Sequence, residues 1–234
     1  MSGFDVMAIL ANPEFSRMLL HGLLMTVVVF AGSWTLAMGL AALLLSVRML
    51  PSRIAEGVVA AYIAYHRNVP TLVQLMFWYF GIASLLPPDV QFWLADHNSE
   101  AVFAIIALGL CQAAYFSEDL RSGLRAVPKG QWEASRALGH SFIGAMRWVL
   151  LPQALRNAGP SIVNHTVSLF KNSSLAMAIG VSEVTHVIKE IESRTFRAFE
   201  SYLLGTVIYL ACTLLLMAFG AWLERRNRHM RPVA

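Results

Sequence analysis

The chain has 234 residues, 57% of them hydrophobic and only 14% charged, with a mean hydropathy of +0.57. Soluble domains of this length rarely carry so few charges, so the composition predicts an integral membrane protein and argues against a soluble enzyme. The net charge of +4 and a pI near 9.3 would suit a nucleic-acid binder, but the cations gather beside the ends of apolar runs, where membrane topology accounts for them.

Residues 19–45 contain no Asp, Glu, Lys or Arg, and a first span is predicted over Met18–Leu45. It is too long for a signal-peptide core and has no basic region before it, so it reads as a retained span. A second span, Gly57–Leu86, is apolar but carries Arg67 within Arg67-Asn68-Val69-Pro70, followed by Thr71 and Gln74. Pro70 has no N–H, so the His66 carbonyl is expected to lose its helical partner in mid-span, a break tolerated only where protein or a water-filled cavity surrounds it. The third span, Ala101–Arg121, ends with Glu118 and Asp119 and with Arg121 one turn beyond Glu118, which predicts a local ion pair or a cytoplasmic gate built on Glu118.

Gln131–Pro152 is a polar, basic segment between apolar runs. Ser135, Leu138, Phe142, Ala145 and Val149 recur at helical intervals as an apolar stripe, while Glu133, Arg136, His140 and Arg147 are polar. Two short helices are predicted, the first closed by Gly139 at positive φ, the second capped by Ser141, with Pro152 in the first turn of the next helix. The fourth span, Asn157–Val181, carries Asn164, His165, Lys171, Asn172, Ser173 and Ser174. At 1.5 Å per residue Arg67 lies roughly 15 Å above Gly57 and Lys171 roughly 20 Å above Asn157, so the two cations are expected to face one cavity at similar depth. The alternative is that each braces a helix end or pairs with a carboxylate of another span. Residues 182–200 are predicted as an external amphipathic helix or loop, and Tyr202–Leu223 as the fifth span.

Cations mark the orientation. Arg48, Arg53, Arg121, Arg125, Lys129, Arg136, Arg147, Arg156, Arg225, Arg226, Arg228 and Arg231 fall on one side, and the opposite side includes the acidic stretch with Asp89, Asp96 and Glu100. The bias places the N-terminus outside and the C-terminus and residues 131–152 in the cytoplasm.

Glu133-Ala134-Ser135, then Gly139, then Val149-x-Leu151-Pro152 resembles the coupling-loop (EAA) signature of ATP-binding-cassette importer permeases. Ala113-Ala114-Tyr115-Phe116-Ser117-Glu118, Val127-Pro128-Lys129-Gly130-Gln131, Arg67-Asn68-Val69-Pro70, Leu72-Val73-Gln74 and Lys171-Asn172-Ser173-Ser174-Leu175 resemble the polar amino-acid branch of that family. Ser135 stands where the second alanine is typical, and its small size preserves close packing.

The resemblance implies an all-α, polytopic fold of about five spans (the type I importer permease fold), with residues 1–234 forming one permease domain. It implies a subunit of an importer, translocating a polar, acidic amino acid (glutamate or aspartate) across the bacterial inner membrane by alternating access. Glu133, Ala134, Ser135, Gly139, Val149, Leu151 and Pro152 would couple it to ATPase subunits. Arg67, Asn68, Pro70, Gln74, Lys171, Asn172 and Ser173 would line the substrate path. A second permease subunit, a soluble solute-binding protein and membrane lipid complete the expected partners, and nucleic acid is not among them. No Gly-x-x-x-x-Gly-Lys-Ser/Thr loop occurs, so ATP and magnesium are expected on the partner and no cofactor on this chain. No metal site or catalytic constellation is predicted, and Cys111 and Cys212 read as small hydrophobes. Competing readings are a permease for glutamine or another polar amino acid, a non-transporting membrane regulator of an ATPase, and an ion-coupled carrier, which would call for more spans and an internal repeat.

Overall fold

The computed structural model describes residues 6–228; Arg231, counted above among the cytoplasmic cations, lies outside the described residues, as do the side chains of Asn227 and Arg228. Every regular element among the described residues is helical. A single turn, α1 (Met7–Leu10), leads into α2 (Pro13–Arg48), whose start is set by Pro13 in the first turn and by the Asn12 side chain accepting from the Glu14 N–H at 2.9 Å. At 1.5 Å per residue its 36 residues extend about 54 Å, well beyond a hydrocarbon core of about 30 Å. Its buried positions, Leu19, Gly22, Thr26, Val29, Ser33, Ala37 and Ala41, form one stripe of mostly small side chains that lets neighbouring backbones approach closely.

The second span is divided. Ser52 caps α3 (Arg53–Asn68), and after a break come α4 (Thr71–Met76), a π-helical turn (Phe77–Ile82) and a 3₁₀ turn (Ala83–Leu85). Helix α5 (Pro88–Ala95) connects to α6 (Ser99–Arg125), the hub of the fold. In α6, 61% of the most apolar stretch is buried, against 22% in α2 and 17% in the last helix (Ala198–Arg228), because α2, α3 and the helix Leu151–Asn172 all pack around it. Helix α7 (Lys129–Ala137) precedes α8 (Phe142–Ala145), a π-helical turn (Met146–Leu150), α9 (Leu151–Asn172) and a 3₁₀ stretch (Ser173–Ile179). Helices α10 (Val184–Thr195) and α11 (Ala198–Arg228) close the chain.

The five expected spans correspond to α2, the 53–85 stretch, α6, the 151–179 stretch and α11. Among the described residues only α2, α6 and α11 are long, unbroken apolar helices; the other two spans are the ones that carry Arg67 and Lys171. The fourth span begins earlier than the sequence indicates. Residues 142–172 are helical throughout, and Pro152 falls inside this run, next to the π-helical turn at Met146–Leu150. The amphipathic segment after the fourth span is α10, with Val184, Val187, Ile188 and Ile191 packed against α2 and α11. Its N-cap, Glu183, is fully buried and accepts from the Thr185 and His186 N–H groups, each at 2.9 Å, and from Tyr209 Oη at 2.6 Å. Burial pushes the Glu183 carboxyl above its ordinary range, against the pull of those donors.

Candidate functional site

The break in the second span is built from two adjacent restrictions. Val69 precedes a proline and is extended (φ −93°, ψ 131°), and Pro70 follows it (φ −55°, ψ 135°). The stranded carbonyls are recovered by one side chain: Gln74 Nε2 donates to His66 O at 3.1 Å and to Val69 O at 2.7 Å. Gln74 Oε1 lies 2.6 Å from His66 Nδ1, and because an amide oxygen only accepts, the His66 proton must be on Nδ1. Gln74 is 1% exposed. Its amide is therefore spent on the break, and the open wall beside it is left to other residues.

That wall borders an open cavity of about 360 Å³ lined by Arg48, Ile63, Tyr115, Glu118 and the exposed Arg67 and Asn68. Arg67 lies over the Tyr115 ring at 5.5 Å, and no carboxylate among the described residues pairs with it. Behind Tyr115, at 5.1 Å between rings, is His165, whose Nδ1 is 2.6 Å from the Oδ2 of buried Asp119. Glu118 joins three helices at the cavity rim: it bonds Arg48 of α2, lies 3.6 Å from Arg121 of its own helix, and Arg121 in turn lies 3.9 Å from Glu56 of α3. Arg48 Nε is buried without a partner.

Of the residues singled out in sequence, Arg67, Asn68 and Glu118 share this cavity, and Pro70 makes the break beside it. Lys171 is exposed and is not among the lining residues; Asn172 is half-buried, and Ser173 is buried with its hydroxyl on Phe170 O at 2.7 Å. The reason is register. Arg67 lies two residues from the middle of the 53–85 stretch, but the middle of the 151–179 stretch is His165. Lys171 is six residues further along, about 9 Å. The fourth span thus reaches Arg67 through Tyr115 and His165. Tyr115 falls in the Ala113–Glu118 block and His165 among the polar residues of the fourth span, but nothing in the sequence joins them to Asp119 and Arg48; only the lateral packing of α6 on α2, α3 and α9 does.

The 131–152 segment has the predicted turn. Gly139 is at φ +84°, its N–H bonds Arg136 O at 3.0 Å and the His140 N–H bonds Ser135 O at 3.2 Å, the paired bonds of a Schellman motif. Ser141 Oγ accepts from the Gly144 N–H at 3.1 Å, capping α8. Trp132 meets Phe142 edge-on at 5.5 Å and carries Arg136 over its ring at 5.8 Å, so the two helices are clasped across the glycine.

The expected stripe is split by that turn: Ser135 and Ala145 are buried with Leu150 and Ala154, but Leu138 is 81% exposed and Phe142 and Ile143 are also open. Glu133 and Ala134 lie exposed on α7, Val149 is half-buried, and Leu151 and Pro152 are exposed at the start of α9. Below the cavity α6 and α9 nearly touch: a Cβ on Gly123 would fall 2.3 Å from Ala154 O, and Asn157 Nδ2 donates to Gly123 O at 3.3 Å.

Residues 35–229 match the family described as "Binding-protein-dependent transport system inner membrane component". The arginine transport system permease protein ArtQ of Bacillus subtilis is 36% identical over 166 residues, 70% of this chain and 72% of that protein. The glutamate/aspartate import permease protein GltJ of Escherichia coli K12 is 28% identical over 221 residues, 93% and 90% of the two chains. A crystal structure of an amino acid ABC transporter with histidines superposes with a TM-score of 0.82 at 28% identity, covering 95% of this chain and 99% of that one. The MetNI methionine ABC transporter shares the fold, with a TM-score of 0.67 at 20% identity over 92% of this chain and 98% of that one.

Proposed function

The chain belongs to the binding-protein-dependent inner-membrane components, the multi-pass permease subunits of ATP-binding-cassette importers, and from that premise we propose that it carries an acidic amino acid past Arg67. It is a transporter subunit in an amino-acid importer and not an enzyme. The observation that carries the substrate reading is the Arg67 guanidinium: it faces a polar cavity at mid-span, stacked on Tyr115 and unpaired with any carboxylate among the described residues. A guanidinium held this way presents a fork that matches a carboxylate. Asn68 adds an amide beside it, and Lys171, further along the fourth span, supplies a second cation for a side-chain carboxylate on the way through.

In this reading Glu133, Ala134, Ser135, Gly139, Val149, Leu151 and Pro152 form the coupling segment. The exposed apolar surface of Leu138, Phe142 and Ile143 meets the ATPase subunit, which holds ATP and magnesium. The N-terminus lies outside, the 131–152 segment in the cytoplasm, and Glu118 with Arg48 and Arg121 closes the cytoplasmic rim as a gate. A second permease subunit and a solute-binding protein complete the importer. A second reading, a basic amino acid, draws support from Glu118 on the cavity wall and from the 36% identity to a permease named for arginine. Against it, Glu118 is already paired with two arginines.

The test is uptake by vesicles reconstituted with the permease, its ATPase and its binding protein. Glutamate uptake should require ATP and the ATPase, and Arg67→Ala should abolish it, with Lys171→Ala reducing acidic substrates selectively. ATP-independent uptake by this chain alone would refute the importer, and preferential uptake of arginine would refute the acidic substrate.

A further inference from the structure

A second cavity lies away from the polar one, on the outer surface where α2, α9 and α11 meet. It encloses about 340 Å³, and its walls are almost entirely apolar, formed by residues such as Trp34, Val163, Leu216, Phe219 and Gly220. The polar atoms of the wall are used internally: Trp34 Nε1 donates to Thr166 Oγ1 at 3.0 Å. The two sides approach closely, since a Cβ on Gly220 would fall 2.4 Å from Val163 Cγ1. A groove of this kind in a membrane span offers hydrocarbon to hydrocarbon.

What distinguishes it from bare lipid-facing surface is its end. Val163 meets Gly220, and Phe170 meets Tyr209 at 5.8 Å between rings, so α9 and α11 run antiparallel in a known register. Seven residues back along α9 from Val163 is Arg156, and seven residues on along α11 from Phe219 is Arg226. Seven residues return to nearly the same helix face, about 10 Å along the axis. The two guanidinium-bearing residues therefore stand on the stripes that line the groove, at matching depth, just past its Leu223 end. Both are exposed, no carboxylate among the described residues pairs with either, and Arg226 rests over the Trp222 ring at 5.7 Å. Tryptophan and arginine at this level are the furniture of a membrane interface.

We propose that this groove binds one anionic phospholipid from the leaflet at the Arg225–Arg226 end, an acyl chain between α2, α9 and α11 and the phosphate between Arg156 and Arg226. Cationic pockets between spans that open onto an apolar groove have the chemistry of an anionic headgroup site. A second copy of this chain fits less well, because a two-fold contact through the same patch would bring its cations together. The site is independent of which side faces the cytoplasm and of what the permease carries.

The test is native mass spectrometry of the permease–ATPase complex taken from nanodiscs of phosphatidylcholine containing phosphatidylglycerol. The unmodified complex should retain phosphatidylglycerol in preference to phosphatidylcholine. Each headgroup contact is worth about fivefold, so Arg156→Gln with Arg226→Gln should lower that preference by roughly thirtyfold. The Arg156→Lys and Arg226→Lys pair should keep most of it. Ala31→Phe, which fills the groove from α2, should expel the lipid with both cations intact. Unchanged retention in the glutamine pair, an equal loss of both lipids there, or full retention in Ala31→Phe would overturn the proposal.

Discussion

Gln74→Leu removes the side chain that closes the broken second span while keeping its approximate volume. It strands three groups: the His66 and Val69 carbonyls and the His66 Nδ1–H. An orphaned buried polar group costs about 1–3 kcal/mol, and the Cys111 Sγ contact to His66 O, at 3.8 Å, is too weak to replace the amide. Val69 is only half-buried, so water from the neighbouring cavity can recover part of its bond. The expected cost is about 2–5 kcal/mol, seen as a lower midpoint in denaturant or thermal unfolding of the purified complex. The cause is isolated by a double-mutant cycle with Pro70→Ala, which restores the N–H that an unbroken helix would direct to the His66 carbonyl. Gln74→Leu should cost at least 1 kcal/mol less in the Pro70→Ala background. Equal cost in both backgrounds would refute the idea that Gln74 serves the break, and would return it to the substrate path.

Gly139→Ala meets open space, so its whole cost is the left-handed backbone, about 1–2 kcal/mol; Gly139→Val should cost more and Gly139→Asn less. Measured as transport per ATP hydrolysed, coupling should fall in the order Asn, Ala, Val with insertion unchanged. Ser135 Oγ is buried without a partner, so Ser135→Ala should leave transport intact and raise stability by up to about 1 kcal/mol in thermal unfolding. Burial raises the Glu183 carboxyl, so the folded state holds the proton above the pH where the unfolded chain releases it, and that contribution is lost as pH rises through the raised value. The unmodified protein should therefore lose stability relative to Glu183→Gln as pH is raised from about 4.5, read as the difference in melting temperature between the two across a pH series.

The first and last spans were legible because their charge-free runs, 19–45 and 201–223, exceed 20 residues and leave few alternatives, and the Gly139 turn because a glycine in that pattern has one conformational use. The break at Pro70 was legible in its cause but not in its remedy. Which side chain would take up the His66 carbonyl depends on how the break sets α4 relative to α3, so that the Gln74 side chain reaches eight residues upstream. Lys171 does not share the cavity of Arg67 for a related reason. The apolar run begins at Asn157, but the helix begins earlier, and the extra turns carry Lys171 past the cavity and bring His165 to it. The Tyr115 and His165 contact depends on how α6 and α9 face one another, and the periodicity of either helix alone does not contain that relation.

The same two helices decide how a push on the 131–152 segment reaches Arg67. Residues 142–172 form one continuous helical rod, with a π-helical turn at Met146–Leu150 and Pro160 within it, and its contact with α6 is tight at Gly123, where Ala154 O and Ala158 leave room only for hydrogen. One turn up α6 from Gly123, Asp119 bonds His165 of the rod. A displacement of the rod that keeps these contacts must therefore carry α6 with it. The opposite wall is different. Helix α3 meets α4 through two extended residues, Val69 and Pro70, held by a single glutamine amide, so the backbone there can pivot without breaking a run of helical bonds. Relative motion then concentrates between Arg67 on α3 and Tyr115 on α6, and between Glu56 on α3 and Arg121 on α6, whose 3.9 Å contact is the longest in the rim network. The rim should open there first, leaving the closer Arg48–Glu118 pair to travel with α2 and α6.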